Sequence, residues 1–386
     1  MAGSAARGTV GLALCGDVML GRGIDQILPH PGDPALREPY VRDARGYVAL
    51  AEDAAGVQVP HPAPPEWPWG EALRAMDEQA PDAVRLLNLE TSVTTSADFE
   101  PGKGIHYRMH PANLPCLAAA RPDVCVLANN HVLDFGRRGL AETLEALAGA
   151  GLRTAGAGRD ADRAGRPAAV PLPADGGTPR GQRGQRGRVL VFALAMPSAG
   201  VPLEWGATAR RAGVDFLPGP SAQAADVLAH RIGQARRPGD LVVVSLHWGS
   251  NWGWEIPPDH VTFAHALIDG GADVVHGHSS HHPRPPEVYR GKLVLYGCGD
   301  LVNDYEGIAG YEEFRDDLRL CHLARLEPDT GRLAELRMVP LRARGLRLEH
   351  ASGGETEWLR RTLTAAARPF GTHLSTDKDG NLALHR

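Results

Sequence analysis

Short apolar runs, many of them β-branched, recur along the chain: residues 9–18 (TVGLALCGDV), 83–90 (AVRLLNLE), 124–131 (VCVLANNH), 188–195 (RVLVFALA), 241–249 (LVVVSLHWG), 272–278 (ADVVHGH) and 292–300 (KLVLYGCGD). They are near-continuous rather than alternating, which predicts strands covered on both faces. Most end in a cluster holding Asp, Glu, Asn or His, so chemistry is expected along one rim of a sheet. Helical patterns fall between them, at 69–78, 113–120, 138–150, 221–236 and 258–270, with Gly151 and Gly270 placed as stops. The alternation predicts α/β layering.

Residues 317–326 and 332–348 alternate like antiparallel strands, and 355–367 reads as a closing helix, so 317–386 forms a C-terminal extension of a single 386-residue domain. Residues 29–67, rich in proline and acidic residues, read as a long insertion over the first polar motif. The Gly/Arg-rich stretch 174–188 reads as a mobile surface loop.

Composition narrows the partners. A formal charge of −5 with interleaved signs leaves no basic stripe for a phosphate backbone, so nucleic acid is not expected. No stretch approaches the roughly 18 apolar residues of a membrane span. The short apolar run at 10–15 leads into a polar motif instead of a cleavage site. Five cysteines (Cys15, Cys116, Cys125, Cys298, Cys321) without a CxxC pair read as reduced, buried thiols, and together these features predict a cytoplasmic protein.

The strand-end groups, in order, are Asp17, Glu90, Asn130 and His131, His247, then His276, His278, His281 and His282. Carboxylate, amide oxygen and imidazole are ligands of a divalent cation, and strands ending on one rim can gather them from distant positions. Oxygen-rich donors suit Ca²⁺, Mg²⁺ or Mn²⁺, while several imidazoles suit Zn²⁺ or Mn²⁺; no organic cofactor is implied. Asn129 reads as a turn residue and Asp134 as a residue that caps or pins the following helix. Trp248, Trp252 and Trp254 follow directly after His247; each alone reads as core packing or a loop anchor, the three together as a wall for an aromatic or extended peptide substrate, and Arg22 reads as an anion contact.

Seven pieces in this order, GDVMLGR, NLETSVT, LANNHVLDFG, AGLRTAGAG, LHWGSNW, GADVVHGHSSHH and LYGCGDLVND, resemble the CapA-like branch of the calcineurin-like metallophosphatase family from about residue 10 to 305. The resemblance implies a central β-sandwich flanked by helices. It implies a metal held by Asp17, Glu90, Asn130, His247 and His278 or His281, with His131 as acid/base histidine. The phosphatase pattern begins Asp-x-His, whereas Val18 and Met19 follow Asp17, and Glu90 replaces a bridging aspartate. One metal, or one tight and one weak, is therefore expected. Asp300 stands where it can orient a histidine.

One branch of the family resembles the MslH-like lasso-peptide epimerases. That resemblance implies a peptide substrate and Cα inversion by His131, His278 or His281 with Asp17 and Asp300. Two alternatives stand beside it: a hydrolase of a phosphorylated or γ-glutamyl substrate, and a non-catalytic accessory that binds an anionic polymer.

Overall fold

The apolar runs assemble into two sheets in a computed structural model that describes residues 8–172 and 187–385. In the larger, ten-stranded sheet, Val10–Val18, Val84–Leu89, Val124–Val126 and Arg153–Ala155 run parallel. Beyond Val10–Val18 the sheet continues through antiparallel Leu318–Leu326 and Leu333–Ala343. In the six-stranded sheet, Arg188–Ala195, Leu241–His247, Val274–His278 and Lys292–Leu295 run parallel, with Ala168–Pro171 and Pro286–Tyr289 antiparallel at the edges.

The continuous apolarity of these strands has a direct cause. Val189, Val191 and Ala193 join one core cluster with Leu12, Leu14 and Leu86 of the larger sheet. The alternate residues Leu190, Phe192 and Leu194 join a second cluster with Leu228 and Ile232 of the helix Ala222–Ala235 and Phe263 and Leu267 of the helix Pro258–Asp269. Each strand thus meets a sheet on one face and helices on the other, which gives the expected helix-flanked β-sandwich.

The five expected helices form with ends within two residues of their expected bounds: Glu71–Gln79, Leu114–Ala119, Gly136–Gly149, Ala222–Ala235 and Pro258–Asp269. The closing helix, Gly353–Ala366, starts at a capping box in which Ser352 and Glu355 each satisfy the other's backbone N–H. Two elements differ from expectation. The insertion 29–67 carries the helix Arg45–Ala55, closed by Gly56 at φ 65°, between its proline-rich flanks. After the last helix, the hairpin His373–Thr376 and Leu382–His385 extends the larger sheet; its four-residue strands are too short to stand out as a pattern.

The stretch expected as a loop at 174–188 lies outside the described residues as far as 186, and Arg188 already opens a strand. All five cysteines are buried and unpaired. Among the described residues no helix is long and apolar enough to cross a membrane.

Candidate metal centre

Parallel strands of both sheets end on the same side, and their carboxyl ends carry the site, as is general for open α/β sheets. Asp17 closes Val10–Val18, Asn88 and Glu90 close Val84–Leu89, Asn129 to His131 follow Val124–Val126, and His247 and His278 end Leu241–His247 and Val274–His278. Asp300 arrives differently. The tripeptide Cys-Gly-Asp occurs at 15–17 and again at 298–300, and the two copies lie side by side with Asp17 opposite Asp300 in parallel register. Their approach requires glycine: a Cβ on Gly16 would lie 1.8 Å from the Gly299 carbonyl oxygen, and Gly299 adopts φ +76°.

The polar atoms converge. Asn88 Nδ2 donates to Asp17 Oδ1 at 2.7 Å and to Glu90 Oε2 at 2.9 Å, holding the two carboxylates together. Ser279 N donates to Asp17 Oδ2 at 3.1 Å. His278 Nδ1 lies 3.7 Å from Asp17 Oδ1 and 2.9 Å from His247 Nδ1, which is itself 3.8 Å from Glu90 Oε2. His247 Nε2 sits 3.1 Å from Asn130 Oδ1, and His281 Nδ1 sits 3.0 Å from Asp300 Oδ1. Two groups of donors result, Asp17–His247–His278 and Asp17–His281–Asp300, each with its ligand atoms within 4.8 Å of one another and Asp17 shared.

Electrostatics fit a cation. Burial first, then the charge of Asp300, raises Asp17 to about 7, and burial with Asp17 and Asp300 raises Glu90 well above the usual range. Burial pushes His247 and His278 well down, so both rings present bare nitrogens. His281 and Lys103 offset ionised carboxylates here only in part, since Asp17 and Glu90 both stay raised, and a divalent ion would supply the remaining counter-charge.

Two histidines stand apart because each has its own carboxylate. His131 Nδ1 is 2.7 Å from Asp134 Oδ2, and its Nε2 is 3.8 Å from Glu90 Oε1. Burial lowers His131 to about 4 despite the opposing pull of Asp134. Lys103 Nζ reaches Asp134 Oδ1 at 2.5 Å and also donates to the Asn130 carbonyl. His281 goes the other way: burial disfavours its charge, but Asp300 outweighs that and raises it. Asp134 therefore does not cap the next helix, whose N-cap is Phe135; it holds His131. Sequence reasoning also passed over Asn88, whose signal was its place two residues before Glu90, and Lys103, which lies 27 positions from Asn130 and carried no local signal.

Other expected residues lie elsewhere. Arg22 is buried and tied to two carboxylates, with Nε 3.1 Å from Asp304 Oδ2, Nη2 2.5 Å from Asp304 Oδ1 and Nη1 3.0 Å from Glu38 Oε1. Its guanidinium also covers the ring of Tyr47, at 3.8 Å, and its charge is already matched by two buried carboxylates, which makes it a structural cation and not a substrate anion contact. Glu38 and Tyr47 come from the insertion, which thereby braces the site through Arg22. Trp248 is 1% exposed, donates from Nε1 to the Tyr296 carbonyl at 3.0 Å and stacks on His260; it is core, not wall. Trp252 and Trp254 are half-buried, with Trp252 stacked on Tyr311 at 4.1 Å and 5.4 Å from the His281 ring. His276 and His282 lie outside both donor groups.

Comparison with known proteins follows the same lines. The family model described as bacterial capsule synthesis protein PGA_cap matches residues 11–305. A probable polyglutamine synthesis accessory protein of Mycobacterium tuberculosis is 51% identical over 97% of this chain and 96% of its own length. The capsule biosynthesis protein CapA of Bacillus anthracis is 29% identical over 52% of this chain and 45% of its own. Among solved structures, a 5'-nucleotidase precursor from Thermus thermophilus superposes with a TM-score of 0.45 at 16% identity, covering 94% of this chain and 59% of that one.

Proposed function

The chain belongs to the bacterial capsule synthesis protein family PGA_cap, and from that premise we propose that it is a metal-dependent enzyme that inverts a Cα centre in a peptide-bonded substrate by two-base proton transfer. The observation that carries this reading is a pair of His–Asp dyads, His131–Asp134 and His281–Asp300, reaching one donor cluster with their proton affinities shifted in opposite directions. Groups pushed apart in this way define a base and an acid at the same pH.

A divalent cation held by Asp17, Glu90, His247 and His278 would supply positive charge beside the carbonyl next to the reacting carbon, making its proton easier to remove. Asn130, expected as a ligand, instead lies on the Nε2 side of the His247 ring and orients it. His131, neutral and tethered through Nδ1 to Asp134, takes that proton on Nε2. His281, kept charged by Asp300, returns one to the other face from Nε2, which substrate would take over from the Asn251 side-chain amide 3.1 Å away, and solvent resets both rings. Trp252, beside His281, and Trp254, beside His282, contact the peptide. The likeness to a polyglutamine synthesis accessory protein supports an amide polymer as the substrate class, and a ribosomal precursor peptide of the lasso type is the other substrate the reaction would suit.

The test is incubation of Mn²⁺-loaded protein in D₂O with a glutamine oligomer, a γ-glutamyl oligomer and a precursor peptide, read by mass and chiral analysis beside His131→Ala. One deuteron gained with partial inversion, absent in the variant, is the expected result. Tight binding without exchange or cleavage would instead make the chain a polymer-binding accessory.

A second reading has its own observation. If Asp17, His281 and Asp300 hold a second cation, His281 is a ligand and no longer an acid, and the site becomes that of a two-metal hydrolase. The two readings exclude each other at His281. One metal per chain favours inversion; two metals with chain shortening or phosphodiester cleavage favour hydrolysis.

A further inference from the structure

Behind the metal centre runs a buried hydrogen-bond chain that none of the roles above uses. Ser245 and His276 are fully buried and stand opposite each other on neighbouring parallel strands. His276 Nε2 lies 3.0 Å from the Cys15 carbonyl oxygen, and His276 Nδ1 lies 3.0 Å from Ser245 Oγ. On its other side Ser245 Oγ is 2.9 Å from His278 Nε2.

These contacts fix where the protons are. A carbonyl oxygen only accepts, so His276 carries a proton on Nε2. A second proton on that ring would create a buried cation bonded only to a carbonyl and a hydroxyl, which is costly without a counter-charge. His276 Nδ1 is therefore bare and accepts from the Ser245 hydroxyl. Ser245 has one hydrogen to give, and having given it, Oγ accepts from His278 Nε2–H. A neutral His278 then has its lone pair on Nδ1, the atom 3.7 Å from Asp17 Oδ1 and 2.9 Å from His247 Nδ1. His247 is set the same way from outside, because its Nε2 faces Asn130 Oδ1 at 3.1 Å, leaving its own Nδ1 bare.

We propose that Ser245 and His276 are positioning residues that set the tautomer of His278, so that its Nδ1 lone pair faces the cation position between Asp17 and His247. The inference rests on reading the cluster as a metal centre, and it adds an outer layer to the ligand set: hydrogen bonds of this kind orient an imidazole and raise its affinity for a metal. A bond from Ser245 to His278 in the opposite sense would put the proton on Nδ1 and block that ligand atom.

The experiment reads protons directly. Metal-free protein labelled with ¹⁵N-histidine is examined by long-range ¹H–¹⁵N correlation, which separates the two neutral tautomers, and Mn²⁺ affinity is measured by calorimetry. His276 and His278 are both expected as Nε2–H forms in the unaltered chain. His276→Gln can still donate to the Cys15 carbonyl and accept from Ser245, so it keeps the His278 tautomer and the affinity. His276→Leu releases the Ser245 hydroxyl to donate to His278 Nε2, shifts His278 to the Nδ1–H form and weakens Mn²⁺ binding by about 10- to 100-fold.

An Nδ1–H form of His278 in the unaltered protein overturns the proposal, and so does a folded His276→Leu protein with tautomer and affinity unchanged. The spectrum of the unaltered chain requires no variant to fold. Expected tautomers in a protein that turns over no peptide would remove the proposed reaction and leave the relay in place.

Discussion

Asp17 and Asp300 lie opposite each other in parallel register, each the last residue of a Cys-Gly-Asp tripeptide, one from the start of the chain and one from beyond residue 297. This pairing places a carboxylate beside the first-motif aspartate, where the phosphatase pattern uses a histidine two residues further along the same strand. It also gives His281 its partner, at 3.0 Å.

Asp300→Asn keeps the shape of that contact and removes its charge. His281 then loses what holds its proton, and exchange at Cα is expected to fall about 10²- to 10⁴-fold, the usual contribution of a general acid. Metal content, read by elemental analysis, is expected to stay unchanged, because the Asp17–His247–His278 group is intact. Loss of one of two bound metals would instead make Asp300 a ligand and favour the hydrolase.

At the other dyad, Asp134→Asn is expected to damage kcat far more than KM. The amide would donate to His131 Nδ1 from 2.7 Å away, forcing the ring's own hydrogen onto Nε2, the atom that must accept the substrate proton. A wrong tautomer of this kind costs on the order of 10⁴-fold in the serine-protease triad. Steady-state kinetics with a peptide found to exchange would show it, and an equal change in kcat and KM would count against a base at His131.

Much of this was legible in the sequence because burial writes itself into composition. Runs such as LVVVSLH must be apolar on both faces when a sheet covers one and helices the other, and their terminal polar residues then stand out. What stayed hidden was non-local. Asp134 reads as a helix-start residue until the fold turns it onto His131. Arg22 reads as a free cation until Glu38 and Asp304, 16 and 282 positions away, enclose it. Trp248 and Trp252 are four residues apart and look alike, yet one is core and the other rim.

That last contrast is measurable. Trp248→Ala should cost about 3–5 kcal/mol of stability, the usual range for removing a fully buried aromatic side chain, since Trp248 is 1% exposed between His260 and Tyr296. Trp252→Ala, on the half-buried rim, should leave thermal stability nearly unchanged and raise KM for peptide. Thermal unfolding beside Michaelis kinetics separates them; a raised KM with no loss of stability in Trp248→Ala would restore it to the substrate wall.

Stability should also depend on pH and metal together, with opposite signs from two kinds of group. His276, lowered to about 4, and His322, lowered to about 3, are buried neutral rings whose unfolded values lie near 6.5. The unfolded chain binds more protons between those limits, so their stabilisation is complete above pH 6.5 and drains away as the pH falls. Each should cost about 2 kcal/mol by pH 5, at 1.36 kcal/mol per unit. Asp17, raised to about 7, acts in reverse: in metal-free protein its contribution is present below pH 3.8 and lost as the pH rises through 7. A cation at the centre must displace that proton before it can bind the carboxylate, so the stabilisation it confers should grow steadily from pH 5 to pH 7.5. Melting temperatures with Mn²⁺ and with a chelator across that range provide the measurement. A metal-induced increment that is the same at both ends would mean that Asp17 does not give up a proton to a cation, and would remove it from the ligand set.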